Sequence, residues 1–111
     1  MDFDSAAQDL LKKFAATGKL LTAIGDETRQ LIMSVLAVSK CEGMRVGAIT
    51  EQTHLSRPAV SHHLKILLDA EVIGMSPEGT KHYYYLKLGG EWPTLVALIN
   101  NIEKLRTEEL Q

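Results

Sequence analysis

Cysteine is almost missing from this chain of 111 residues: Cys41 stands alone, so no disulfide can form within the chain and a reducing compartment is the default expectation. Long apolar runs are missing too. The longest covers residues 95–99, far short of the ~18 needed to cross a membrane. The opening Met1-Asp2-Phe3-Asp4 is acidic and lacks the basic and apolar regions of a signal peptide, so the expected location is the cytoplasm. There is no large charge excess of either sign. The net charge of −2 and a pI near 6.1 do not by themselves point to nucleic acid. No glycine-rich phosphate loop, nucleophile–base pair or cluster of metal ligands is visible, which argues against an enzyme and against a bound cofactor or metal. What remains is 45% apolar and 23% charged, the balance of one folded domain over residues 1–111.

Helical periodicity dominates the first two-thirds. Ala7, Leu10, Leu11 and Phe14 share one side of a helix over 5–17, with Ser5 as its cap and Gly18 as its stop. Leu20, Leu21 and Ile24 form a short second helix that Gly25 ends. Asp26 caps a third, whose buried side is read as Leu31, Ile32, Val35 and Leu36. A brief fourth helix spans 47–53. His54 follows, and then Ser56 and Pro58 make a strong start for a fifth helix over 56–70, with the proline in the first turn where its missing N–H costs nothing. Two helices so closely spaced are a helix-turn-helix pattern. After Ala70 the period drops to two: strands over 72–76 and 81–88 flank a turn at 77–79. In the second strand Tyr84, Leu86 and Leu88 share one side, while Lys81, Tyr83, Tyr85 and Lys87 share the other. A last helix covers 91–108. The fold class is therefore mainly α, α-α-α-α-α-β-β-α, with the hairpin as a wing.

The fifth helix sorts cleanly when placed at about 100° per residue. Val60, Leu64, Leu67 and Leu68 fall in one arc with His63 at its edge. Pro58, Ser61, His62 and Lys65 fall opposite, and Arg57 sits at the N-terminal tip. Between Ser56 and Leu68 the only charges are Arg57 and Lys65. A solvated helix side is the plain reading of such a surface. The preceding short helix, the capped entry and the adjacent hairpin with Lys81 and His82 favour contact with DNA, because short hydroxyl, Arg, Lys and His side chains reach phosphates and base edges. His62 and His63 lie about 100° apart and cannot chelate one ion together. Cys41 has no resolving partner for a redox switch.

These strings resemble the ArsR/SmtB family of dimeric winged helix-turn-helix repressors. The matching residues are Gly25-Asp26-Glu27-Thr28-Arg29 opening the third helix, Leu55-Ser56-Arg57-Pro58-Ala59-Val60-Ser61-His62-His63-Leu64-Lys65 in the recognition helix, and Glu78-Gly79-Thr80 with Tyr83-Tyr84 in the wing. The resemblance implies a homodimer that binds a double-stranded inverted-repeat operator, with release by a small-molecule effector common in the family. On that basis the DNA-binding residues are expected to be Ser56, Arg57, Pro58, Ser61, His62, Lys65, Lys81 and His82. Residues 26–88 would form the DNA-binding core, with the wing at 72–88 and its DNA-facing part at 76–82. Residues 1–24 and 90–111 would form the dimer interface through Leu10, Phe14, Trp92, Leu95, Val96, Ile99 and Ile102. The apolar arc of the last helix, about half its circumference, is wider than one covered surface needs. The cleft between the terminal helices is a candidate effector site.

Departures from the family pattern narrow the effector. Arg45 and Gly47 occupy the positions of the family's Cys-x-Cys metal pair, and the last helix has no histidine for the second known metal site. His54 replaces the usual glycine between the two motif helices, which predicts a left-handed backbone that His tolerates better than most residues. Thr80 stands at the wing-tip position often held by arginine, leaving Lys81 as the wing's cation. A rival reading keeps the same fold as a protein–protein module without an operator, motivated by the acidic pI.

Overall fold

The computed structural model describes residues 3–39 and 42–109. In chain order they form helices α1 (Phe3–Ala16), α2 (Gly18–Ile24), α3 (Glu27–Ser39), α4 (Val46–Thr53) and α5 (Arg57–Asp69), strands β1 (Ile73–Glu78) and β2 (Lys81–Leu86), and helix α6 (Trp92–Glu109). The expected order stands. The break between α1 and α2 is made by Thr17 and not by Gly18, which opens α2. The Thr17 hydroxyl donates to the carbonyls of Lys13 (2.9 Å) and Phe14 (3.1 Å), which also accept from its backbone N–H (3.1 and 3.2 Å). Ser5 lies within the first turn of α1 instead of capping it.

α3, α4 and α5 pack around one aliphatic core. Ile32, Leu36, Ile49, Val60 and Leu67 are fully buried, joined by Leu20 from α2 and by Val72 and Ile73 at the entry to the hairpin. Leu31, expected inside, is exposed, and Arg29 takes the interior place. The cause is polar: the Arg29 guanidinium donates from Nε to the Ala23 carbonyl (2.6 Å) and from Nη2 to the Thr22 carbonyl (3.1 Å). It thereby serves the unpaired carbonyl end of α2, and α3 is rotated to bury it.

The hairpin is antiparallel, with Ile73 opposite Leu86 and Glu78 opposite Lys81. Its turn is Gly79-Thr80, two residues later than expected, and Gly79 takes a φ of +64° that only glycine adopts freely. Pro77 is thus a strand residue paired with His82. A two-stranded sheet has only edges, where a residue without an N–H is tolerated. β2 stops at Leu86, so Leu88 does not join Tyr84 and Leu86 on the buried side: it has a φ of +52° and is exposed. The carbonyl of Val72 accepts from the N–H groups of both Lys87 (2.9 Å) and Leu88 (3.0 Å), which ends the strand. Met44 exchanges two backbone hydrogen bonds with Tyr84, each 2.8 Å, and so fastens the segment before α4 to the wing.

α6 packs along α1. With its amide oriented towards α1, the Asn101 side chain accepts from Lys13 Nζ at 2.6 Å. Together the helices give an elongated body of 55 × 23 × 23 Å with a radius of gyration of 17.2 Å.

Candidate nucleic-acid interface

Local chemistry determines where α5 begins. α4 ends at Thr53, and His54 adopts the left-handed conformation (φ 59°, ψ 24°) expected for it, its N–H donating to the Thr50 carbonyl at 2.9 Å. Ser56 is extended (φ −74°, ψ 156°), and its hydroxyl oxygen accepts from the Ala59 N–H at 3.2 Å, with Pro58 in the first turn. This is the N-cap arrangement that serine favours.

The inner side of α5 carries Val60, Leu64 and Leu67, all buried, while Leu68 is partly buried against the same core. Ser56, Arg57, Pro58, Ser61, His62 and Lys65 are exposed, as are Lys81 and His82 on the wing. The wheel therefore separated the two sides of the helix correctly. His63 sits half-buried at their border, and its Nδ1 accepts from Arg29 Nη1 at 3.2 Å. Because arginine has only donors, this bond requires Nδ1 to be the unprotonated nitrogen of the ring. Arg29 thus joins the end of α2 to the middle of the outward-facing helix. At the start of α3, the Asp26 carboxylate accepts from the Arg29 backbone N–H at 2.9 Å. That bond, more than the nearby Arg29 charge, holds the Asp26 pKa below its ordinary value.

Two features of this surface were not found from the sequence. Arg45, read only as an occupant of a metal-ligand position, is exposed immediately before α4 and lines the same groove as Arg57, Thr80 and His82. The Arg57 guanidinium lies back across α4: Nη1 is 3.3 Å from the place a Cβ on Gly47 would take. No local pattern signals either placement, because both depend on how α4, α5 and the wing meet. Among the described residues no group of three His, Cys, Asp or Glu side chains comes together; Cys41 lies outside them.

A family model described as "Bacterial regulatory protein, arsR family" matches residues 26–74, the stretch from the cap of α3 to the start of β1. The transcriptional repressor SdpR of Bacillus subtilis is 38% identical over 82 residues, which cover 74% of this chain and 88% of that protein. The chain belongs to the ArsR family. An uncharacterized HTH-type transcriptional regulator of Methanocaldococcus jannaschii is 33% identical over 76 residues, covering 68% of this regulator and 83% of that protein. Among solved structures, an ArsR-like transcriptional regulator from Rhodococcus sp. RHA1 superposes with a TM-score of 0.77 at 21% identity, over 90% of this chain and 88% of that one. The homodimeric winged helix-turn-helix DNA-binding domain Mb0332 from Mycobacterium bovis gives 0.58 at 26% identity, over 98% and 93%. The regulator is a DNA-binding protein of the winged-helix class and not an enzyme.

The residues expected at the dimer interface divide into two groups. Leu95 is buried within the chain, and Leu10 and Trp92 are partly buried against its core. Phe14, Val96, Ile99 and Ile102 are exposed, and so are Phe3 and Leu11 of α1 and Leu105 of α6, which were not selected. The expected cleft between the terminal helices exists as a cavity of about 270 Å³ lined by Leu10, Asn101, Lys104 and Leu105 among others. Among the described residues no helix is long and apolar enough to cross a membrane.

Proposed function

We propose that the regulator is a homodimeric, cytoplasmic repressor that binds an inverted-repeat operator, with α5 of each copy in the major groove and residues 76–82 of the wing beside the backbone. The observation that carries this reading is the outer side of α5. It is exposed over Arg57, Ser61, His62 and Lys65, and Arg57 and Lys65 are its only charges until Asp69. A polar, acid-free helix side with a free N-terminal tip fits the major groove of B-DNA in width and in chemistry.

Dimerisation has its own support. Exposed apolar side chains cluster on the two terminal helices: Phe3, Leu11 and Phe14 on α1, and Val96, Ile99 and Ile102 on α6. A radius of gyration of 17.2 Å exceeds the about 13 Å of a compact chain of this size, as expected of a subunit whose terminal helices are completed by a second copy. A twofold axis would then present two α5 helices to half-sites about one helical turn apart.

Fluorescence anisotropy with a duplex from the regulator's own promoter tests the reading. Affinity should fall with salt along a log–log slope of about −0.9 per phosphate contacted. Lys65→Ala and His62→Ala should narrow the gap between this duplex and a random one. Binding indifferent to salt and to both substitutions would rule the reading out, and a stable protein partner with no DNA retardation at low salt would favour a protein-interaction role.

A further inference from the structure

We propose that the groove between α4, the tip of α5 and the wing is a clamp for a DNA backbone phosphate, formed by Arg45 and Arg57, so that Arg57 grips the backbone instead of reading a base. The inference rests on the DNA-binding reading above and adds a residue, Arg45, and a changed role for Arg57.

The groove is open and has a volume of about 840 Å³. Two elements bring cations to it, Arg45 from the residue before α4 and Arg57 from the first position of α5, and β2 brings the His82 imidazole. Thr80 and Tyr83 add hydroxyl groups along the wing side. Neither arginine makes an ion pair or a side-chain hydrogen bond among the described residues, where the ion pairs are Lys13–Asp9 and Arg106–Glu103. Glu51 also lines the groove but pairs with neither of them. Two unneutralised guanidinium groups sharing one groove repel each other, and a bound anion removes that repulsion while accepting from both.

Gly47 marks the pose of Arg57. A side chain there would have its Cβ 3.3 Å from Nη1, a contact relieved by a shift of a few tenths of an ångström, so the arginine lies across α4 at the glycine. In that pose the group lines the groove, which Ser61, His62 and Lys65 do not. Val46, Gly47 and Ala48 of the first turn of α4 also line the groove, and the N-terminal end of that helix adds partial positive charge beside the arginines. A phosphodiester is the favoured ligand over a free anion, because the groove opens between the recognition helix and the wing, the two elements that flank a bound duplex. Base reading then falls to Ser61, His62 and Lys65.

The test measures binding of the full-length regulator to a duplex from its own promoter and to a random duplex of equal length, across a salt series. Arg45→Ala and Arg57→Ala should each weaken both duplexes by a similar factor, on the order of tenfold, and reduce the salt slope by about 0.9 per phosphate lost in each copy. Arg45→Lys should keep most of the slope, since a point charge still neutralises a phosphate. Circular dichroism melts identify any variant that fails to fold, in which case Arg45→Lys decides the question. An unchanged slope in Arg45→Ala overturns the clamp, and so does selective loss of promoter over random binding in Arg57→Ala. Added inorganic phosphate at constant ionic strength should compete no better than chloride; phosphate that displaces DNA from the wild type but not from Arg45→Ala would assign the groove to a free anion and overturn the backbone reading. Failure of the wild type to bind either duplex removes the DNA reading itself.

Discussion

Among single residues, Arg29 ties the most structure together. It is a buried cation without a carboxylate partner, held instead by the carbonyls of Thr22 and Ala23 and by the His63 ring. Such a group is tolerated inside a protein only where acceptors surround it. Replacing it strands two carbonyls and removes a polar link between α3 and α5. Arg29→Met should lower stability by about 2 kcal/mol, the range for hydrogen bonds to a charged group, read as a lower urea midpoint with an unchanged slope. No loss of stability would mean the contacts contribute little. The sequence showed Arg29 only as part of a family string, because its acceptors come from a different helix and its imidazole partner lies 34 positions along the chain. Asp26, Ser56 and His54 were readable beforehand because each acts on backbone within four residues of itself.

At the scale of elements, caps and breaks decide where helices start and how they face. The Ser56 cap sets the first residue of α5 and thereby the rotation that sends Val60, Leu64 and Leu67 inward. Ser56→Ala should cost about 1 kcal/mol, seen as a drop of several degrees in melting temperature for a domain of this size, with weaker DNA binding as the tip frays. A melting temperature equal to that of the wild type would show that the cap has no such role. Periodicity found every helix and both strands, yet it misplaced the wing's turn by two residues. Proline and glycine both favour turns, which is why the sequence reads as a turn over 77–79; the pairing of Pro77 with His82 is settled by cross-strand register, which no short window contains. The α1–α2 break was legible as a position but not as a mechanism, since threonine back-bonding leaves no mark in hydropathy.

For the whole molecule, the decisive property is the apolar surface left over after the chain has folded. Ile99 is 57% exposed on α6 and Phe14 is 44% exposed on α1, while the core beneath them is already closed by Leu95 and Leu98. A second copy covering these helices is the expected partner. Ile99→Glu should therefore convert a particle of twice the chain mass into one of single mass by light scattering, with the circular dichroism spectrum unchanged and operator affinity sharply reduced. A wild-type protein of single mass at micromolar concentration would contradict this arrangement. The width of the apolar arc on α6 suggested surplus surface; only packing showed which residues are spent inside, because Leu95 and Ile99 sit on one arc and differ in what α1 and the core place against them.

The amino-acid order alone determined the sequence of elements, the Asp26 and Ser56 caps, the left-handed residue at His54 and the polar side of α5, because each follows from interactions within a few residues or from periodicity along one helix. Tertiary packing decided the buried place of Arg29, the exposure of Leu31 and Leu88, the register of the wing and the placing of Arg45 and Arg57 along one groove. Those outcomes depend on contacts between segments far apart in the chain, whose relative positions are set only when the helices pack together.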